Sequence, residues 1–261
     1  MSRVESTFKS LKSRGKTALL AFLTVGFPER ASTIELAQAL VEGGADVLEL
    51  GIPFSDPLAD GTTIQRSNQV ALNNGVTVRD CLDAARELRA KGVKIPLLFM
   101  GYYNPLLHYG LPRFCADASA AGADGIIAVD LPPEEAADLR KECVRRNLDL
   151  IFLLAPTSTD QRIASVCKAA IGFVYIVSVA GVTGARASVS TRVPELVARV
   201  RKHTRLPLAV GFGVSSAEQF RSIGQYADGV AVGSAIISAI EKAPRGQRAA
   251  AAKRFVKQLK A

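Results

Sequence analysis

Eight short apolar runs, separated by longer stretches of helical periodicity, constrain this chain more than any other feature. The runs lie at residues 19–24, 47–52, 95–100, 125–129, 150–154, 174–178, 206–210 and 229–232. Most are rich in Val, Ile and Leu without polar alternation, the pattern of strands buried on both faces. Helix-period segments fill the gaps at 31–43, 78–91, 111–121, 133–146, 159–169, 193–203 and 215–225, and a last one runs over 247–259. Strand and helix in strict alternation predict a parallel sheet with helices outside it. With 261 residues, eight such units predict a closed (β/α)8 TIM barrel forming a single domain over residues 1–261. An open doubly wound sheet is the alternative, but no G-x-G-x-x-G follows the first run. A helix at residues 4–12 precedes the first strand and would cap the barrel bottom. Short extra helices are expected after strands two and eight.

Local signals support these boundaries. Pro132-Pro133-Glu134-Glu135 places proline and acids in a first helical turn, where a missing N–H costs nothing and the dipole favours negative charge. Thr157-Ser158-Thr159-Asp160 and Ser215-Ser216-Ala217-Glu218 offer N-caps, the second with Glu at capping-box spacing. Gly44, Gly92, Gly122 and Gly172 each follow a helical run, as C′ glycines do.

Several function classes are disfavoured. No apolar stretch is long enough for a membrane span, and residues 1–16 lack the apolar core of a signal peptide. Cys81, Cys115, Cys143 and Cys167 form no C-x-x-C pair and have no histidine nearby in sequence. They read as buried thiols in a reducing compartment, so a cytoplasmic location and no metal site are expected. The formal net charge of +9 raises the question of nucleic acid. The cations are scattered along helical faces without interleaved aromatics, which reads as solvated surface, so no nucleic-acid partner is expected.

In a parallel barrel the functional groups gather where the strands end. Glu49 sits near the end of the second run, and the following loop carries Asp56 and Asp60. An acid inside a buried strand is either paired or kept for proton chemistry, because burial raises its pKa. Asp60 before Gly61 is open to a turn reading as well as a functional one, and Asp56 before Pro57 fits turn chemistry. His108 and His203 show no partner at metal or triad spacing. After strands seven and eight, Gly211-Phe212-Gly213 and Gly233-Ser234 fall in the two loops where barrels recurrently bind phosphate, and Gly184 in the sixth loop could complete the cup. Arg186 in the same loop could contact an anion or face solvent.

These motifs resemble the tryptophan synthase α subunits almost end to end. The matching segments are Ala21-Phe22-Leu23-Thr24-Val25-Gly26, residues 49–61 from Glu49 to Gly61, Tyr102-Tyr103-Asn104-Pro105, and Asp130-Leu131-Pro132-Pro133-Glu134-Glu135. They continue through Leu154-Ala155-Pro156-Thr157-Ser158, Gly181-Val182-Thr183-Gly184 and Gly211-Phe212-Gly213. The resemblance implies a lyase that cleaves indole-3-glycerol phosphate to indole and glyceraldehyde 3-phosphate by a retro-aldol step. It implies Glu49 as general acid/base and Asp60 as acceptor of the indole N–H. Phe22, Ile64, Met100, Ile127, Leu153, Tyr175 and Phe212 would sandwich the indole, while Thr183 would hold Asp60 on loop closure. Gly184, Gly213, Gly233 and Ser234 would bind phosphate. The resemblance further implies a β subunit, docked on residues 53–56 and 103–107 in an α2β2 tetramer, that takes the indole through a tunnel. Pyridoxal phosphate would belong to that partner, and no cofactor to this chain. Thr62 stands where such sequences often have proline, and Val179-Ala180 where they often carry a polar or bulkier pair. A stand-alone lyase that releases indole is the second enzymatic reading, and a catalytically idle or RNA-binding subunit the reading from another class.

Overall fold

The computed structural model describes residues 1–177, 192–211 and 213–261. Its strands are β1 (Ala18–Thr24), β2 (Val47–Gly51), β3 (Leu97–Gly101), β4 (Gly125–Ala128), β5 (Asp149–Leu154), β6 (Val174–Val177), β7 (Leu208–Gly211) and β8 (Gly229–Val232). They pair in sequence order, all parallel, and β8 returns to β1 to close the barrel. Closure leaves no free edge. The expected fold is the observed one.

Helices surround the barrel. They are α1 (Arg3–Ser13), α2 (Thr33–Gly43), α3 (Thr62–Asn73), α4 (Val78–Ala90), α5 (Tyr103–Tyr109), α6 (Leu111–Ala120), α7 (Ala137–Arg145), α8 (Asp160–Ala169), α9 (Arg192–Arg201), α10 (Ala217–Gly224), α11 (Ser234–Lys242) and α12 (Arg248–Leu259). α1 closes the barrel bottom, as expected. Its N-terminus is fixed by a full capping box between Ser2 and Glu5. Phe8 projects from it onto Phe173 with ring centroids 5.5 Å apart. The extra helices after β2 and β8 are α3 and α11, and α5 adds one after β3 that the periodicity did not reveal, since it is only 7 residues long.

Two helix starts differ from expectation. α7 begins at Ala137 rather than Pro133. Residues 132–136 instead close two overlapping four-residue turns, Glu135 N–H to Pro132 O at 3.1 Å and Ala136 N–H to Pro133 O at 3.4 Å. The cap of α10 is Ser216, so the third helical residue is Gln219 and not Glu218; Gln219 Oε1 accepts from Ser215 N–H at 2.7 Å. Thr159 caps α8 as expected, and Gly44 and Gly122 take the left-handed conformation at φ 110° and 84°. Cys115 on α6 and Cys143 on α7, distant in sequence, meet in the interior as free, hydrogen-bonded thiols.

The barrel floor carries a repeated device. Asp46, Asp124 and Asp228 each stand just before a strand and accept an N–H at the start of the preceding one: Leu19, the second residue of β1, and Leu97 and Leu208, the first of β3 and β7, all at 2.8 Å. Each aspartate's own N–H returns to the carbonyl of that same leucine. A cation completes each clamp: Lys260 for Asp46, Arg89 for Asp124 and Arg201 for Asp228. Arg89 further donates to the carbonyls of Gly122, Val93 and Ile95. The sequence signal is an Ala-Asp pair directly before the strand, at Ala45-Asp46, Ala123-Asp124 and Ala227-Asp228. The Asp124–Arg89 pair is the most enclosed, with side-chain exposures of 10% and 17%. Asp124→Ala leaves Arg89 without its carboxylate and Leu97 N–H without its acceptor, and is expected to cost about 2–3 kcal/mol, measured by urea unfolding.

Candidate active site

Parallel closure brings the C-terminal ends of all eight strands to one face. In-register pairing places Phe22 beside Glu49, and Met100 beside Ile127. Side chains alternate along each strand, so residues two apart share the barrel interior. Two glycines make that interior roomy enough for aromatic rings. A Cβ on Gly51 would lie 2.5 Å from the Phe22 ring, and one on Gly211 would lie 2.2 Å from the Tyr175 hydroxyl. Any larger residue would expel those rings.

The resulting cavity, about 400 Å3 and open to solvent, is lined by Phe22, Glu49, Asp60, Ile64, Met100, Tyr175, Gly213, Ala231, Gly233 and Ser234. The structure thus brings together Glu49, Asp60, four of the expected apolar residues, and Gly213, Gly233 and Ser234. Ala231 was missed; it is too small to signal a role in sequence. Ile127 is sealed inside the barrel, and Leu153 is half-buried on β5; neither lines this cavity. Thr183, Gly184, Arg186, Phe212 and the Val179-Ala180 pair lie outside the described residues. A second cavity of about 250 Å3 adjoins the first through Phe22, Asp60 and Met100, and is walled by Asn68 and Tyr102.

Glu49 is 1% exposed. Among the described residues its Oε1 has no hydrogen-bond partner. Burial alone pushes its pKa up to about 8. The alternative of a structurally paired acid therefore finds no support in the geometry. Asp60 lies in the loop after β2 and is buried too, which pushes its pKa up to about 6. Hydrogen bonds from Tyr102 and Asn68 act against that rise, Asn68 Nδ2 donating to Oδ2 at 3.3 Å. The backbone of Asp60 is also fixed, its N–H on Pro57 O at 3.0 Å and its carbonyl under Gln65 Nε2 at 2.8 Å. Tyr175, buried between the two acids, has its phenol pKa pushed well above the usual value. Its hydroxyl stays protonated throughout the neutral range.

Gly233 and Ser234 open α11, whose first turn holds no acidic residue and no side-chain cap. Its first N–H groups and helix dipole therefore face the cavity rim as a site suited to an anion. No cluster of three His, Cys, Asp or Glu side chains able to hold a metal occurs among the described residues. None of the helices among them is long and apolar enough to cross a membrane. His108 and His203 are exposed.

A buried carboxyl and a second, anchored one thus share an apolar cavity that has a helix N-terminus at its rim. Comparison with known proteins identifies the family. The sequence model of the tryptophan synthase alpha chain matches residues 8–261. The chain belongs to the tryptophan synthase alpha chain family. It is 52% identical to the tryptophan synthase alpha chain of Chloroflexus aurantiacus, covering 99% of this chain and 97% of that one. It is 51% identical to that of Roseiflexus castenholzii over the whole of both chains. A structure of Mycobacterium tuberculosis tryptophan synthase superposes with a TM-score of 0.92 at 41% identity, covering 99% of this chain and 96% of that chain. The family's activity is a lyase reaction, the cleavage of indole-3-glycerol phosphate in tryptophan biosynthesis.

The ionisation of Glu49 has a measurable cost to folding. The folded chain keeps the Glu49 proton up to about pH 8, while the unfolded chain releases it above its ordinary value of 4.5. The native state binds the extra proton, so this acid lowers stability progressively as pH rises from about 4.5, levelling off above about 8. Glu49→Gln is accordingly expected to stabilise the fold by about 4 kcal/mol at pH 7.5 and by less than about 1 kcal/mol at pH 5, read from urea unfolding at both values.

Proposed function

We propose that Glu49 moves the protons of the cleavage and that Asp60 carries its charge. The observation that supports this most is the uncompensated burial of Glu49 in the same cavity as Asp60. Held protonated near neutral pH, Glu49 can give its proton to indole C3. The ring nitrogen then bears positive charge, which the ionised Asp60 stabilises while accepting the indole N–H. Glu49, now a carboxylate, takes the proton of the side-chain hydroxyl on the carbon bonded to C3. The carbon–carbon bond breaks, its electrons restore the indole ring, and the glycerol chain leaves as the aldehyde of glyceraldehyde 3-phosphate. Glu49 ends as it began, so one carboxyl serves as acid and then as base.

The remaining residues bind. Phe22, Ile64, Met100 and Tyr175 offer the indole an apolar slot, to which Ile127, Leu153 and Phe212 contribute in this reading. Gly233 and Ser234, at the start of α11, hold the phosphate in this reading, with Gly213 after β7 and Gly184. Thr183 would close over Asp60. Proton transfers and a fixed negative charge suffice for this reaction, so the reading assigns this chain no cofactor and a cytoplasmic setting. Residues 1–261 are read as one barrel domain, because α1 and α12 both pack on the barrel and its outer helices.

The partner in this reading is the β subunit, in an α2β2 tetramer, carrying the pyridoxal phosphate and receiving the indole. Two large apolar side chains support it: Leu58 after β2 and Leu107 on α5 are 87% and 54% exposed. Both stand on the face where the strands end, beside the cavity. A stand-alone lyase would have no use for that patch. Replacing both leucines with glutamate is expected to abolish stimulation by a cognate β subunit while intrinsic cleavage continues.

The chemistry predicts a bell-shaped pH dependence of kcat/KM. Below about pH 6 Asp60 is neutralised, and above about pH 8 Glu49 loses the proton it must donate. Glu49→Gln is expected to lower cleavage of indole-3-glycerol phosphate by about a thousandfold or more and Asp60→Asn by about a hundredfold or more, with the fold retained by circular dichroism. Activity surviving Glu49→Gln would sink the mechanism.

A further inference from the structure

The two carboxyls of the site are held in opposite ways. Glu49 Oε1 has no partner among the described residues, whereas the Asp60 carboxyl accepts from Tyr102 and Asn68, the former with the larger effect. Tyr102 follows the last residue of β3, is 4% exposed, and stands at the N-cap of α5. Its hydroxyl oxygen accepts the N–H of Ala59 at 2.9 Å. With that lone pair engaged, its own O–H is left to donate to the Asp60 carboxylate. The ring is clamped from the other side by Phe54, with centroids 5.3 Å apart and planes tilted by 35°. One side chain therefore ties the loop that carries Asp60 to the end of a neighbouring strand, at both its backbone and its carboxylate.

We propose that Tyr102 is a positioning residue for the cleavage reaction: its hydroxyl, fixed by the Ala59 N–H, aims the Asp60 carboxylate at the indole nitrogen, with Asn68 as the second donor. This rests on the reading of Asp60 as the charge-bearing group. A neutral Asp60 could not perform that role, and burial pushes it in that direction. The bonds from Tyr102 and Asn68 are what oppose burial. The other groups facing this pair do not help. Glu49 from β2 and Tyr175 from β6 bring no positive charge, and Asp130 after β4 disfavours a negative charge nearby. Tyr102 itself remains a donor at all working pH values, since burial and Asp60 push its phenol well above the usual range.

The test is the pH profile of indole-3-glycerol phosphate cleavage by the full chain carrying Tyr102→Phe. Phenylalanine keeps the ring against Phe54 and removes only the hydroxyl. A hydrogen bond to a charged group is worth about tenfold or more, so kcat/KM is expected to fall by about threefold at pH 6.5 and by about tenfold below pH 6. The acid limb should move up by about one pH unit, so the deficit shrinks as the pH approaches 8. Asn68→Ala should shift the same limb by less, and the double variant by more than either. A merely structural role for Tyr102 would lower the rate equally at every pH. An unmoved acid limb in Tyr102→Phe overturns the proposal. Asp60→Asn separates the two ideas: if it stays active the reading of Asp60 fails, and if it is inactive while Tyr102→Phe leaves the limb in place, only the role of Tyr102 fails.

Discussion

Parallel closure of eight strands is the constraint on which everything else in this molecule depends. A ring of strands in sequence order satisfies the backbone without an edge, and because every strand runs the same way, every strand ends on the same face. Residues far apart in sequence, from Phe22 on β1 to Ala231 on β8, thereby line one cavity. The ring also shields its interior from water, and that burial raises the pKa of Glu49 to about 8, where an ordinary glutamate would be ionised. The cost of burying it falls on stability and its benefit on chemistry. Such a trade is expected where a site is built for function rather than for folding.

The two acids differ because their supports differ. Glu49 stands on a strand whose backbone is fixed on both sides by β1 and β3, so its position needs no side-chain partner. Asp60 stands in a loop, where the ladder ends, and must be held by other means. Tyr102, Asn68, Gln65 and the Pro57 carbonyl supply them. The same side-chain type thus arrives at two pKa values, about 8 and about 6, through desolvation alone in one case and desolvation opposed by hydrogen bonds in the other. Carboxyls whose environments separate them in this way suit division into an acid and a stabilising anion.

Much of this was legible in the sequence, for identifiable reasons. Strand positions follow from apolar runs, and all eight were placed to within two residues at their starts because a doubly buried strand tolerates almost nothing but Val, Ile and Leu. Glu49 stood out because it breaks such a run. α5 was not legible: a helix of 7 residues has too few turns to show a period, and the only cue was Pro105 near its start. The start of α7 was misplaced because acids after proline fit a helical first turn and a plain turn equally well. Asn68 and Tyr102 could not be singled out as partners of Asp60, since their meeting depends on how the loop after β2 folds back against β3. The Ala-Asp pairs before β2, β4 and β8 are visible in sequence, but their clamp function emerges only with the register of neighbouring strands.

The two ends of the barrel are secured by different physics, and the difference matches their tasks. At the floor, three aspartates lock strand starts with charged partners, and α1 plugs the opening through Phe8. At the mouth the supports are neutral: a phenol, an amide, a carbonyl and a ring contact between Phe54 and Tyr102. Charged clamps resist displacement strongly in a partly enclosed setting, whereas a bond between neutral groups, such as that from Ala59 N–H to the Tyr102 hydroxyl, is worth about 1 kcal/mol. The exposed Leu58, the Phe54 ring that steadies Tyr102 and Asp60 itself are all carried by the loop after β2, so the apolar surface and the buried carboxylate share a single stretch of backbone.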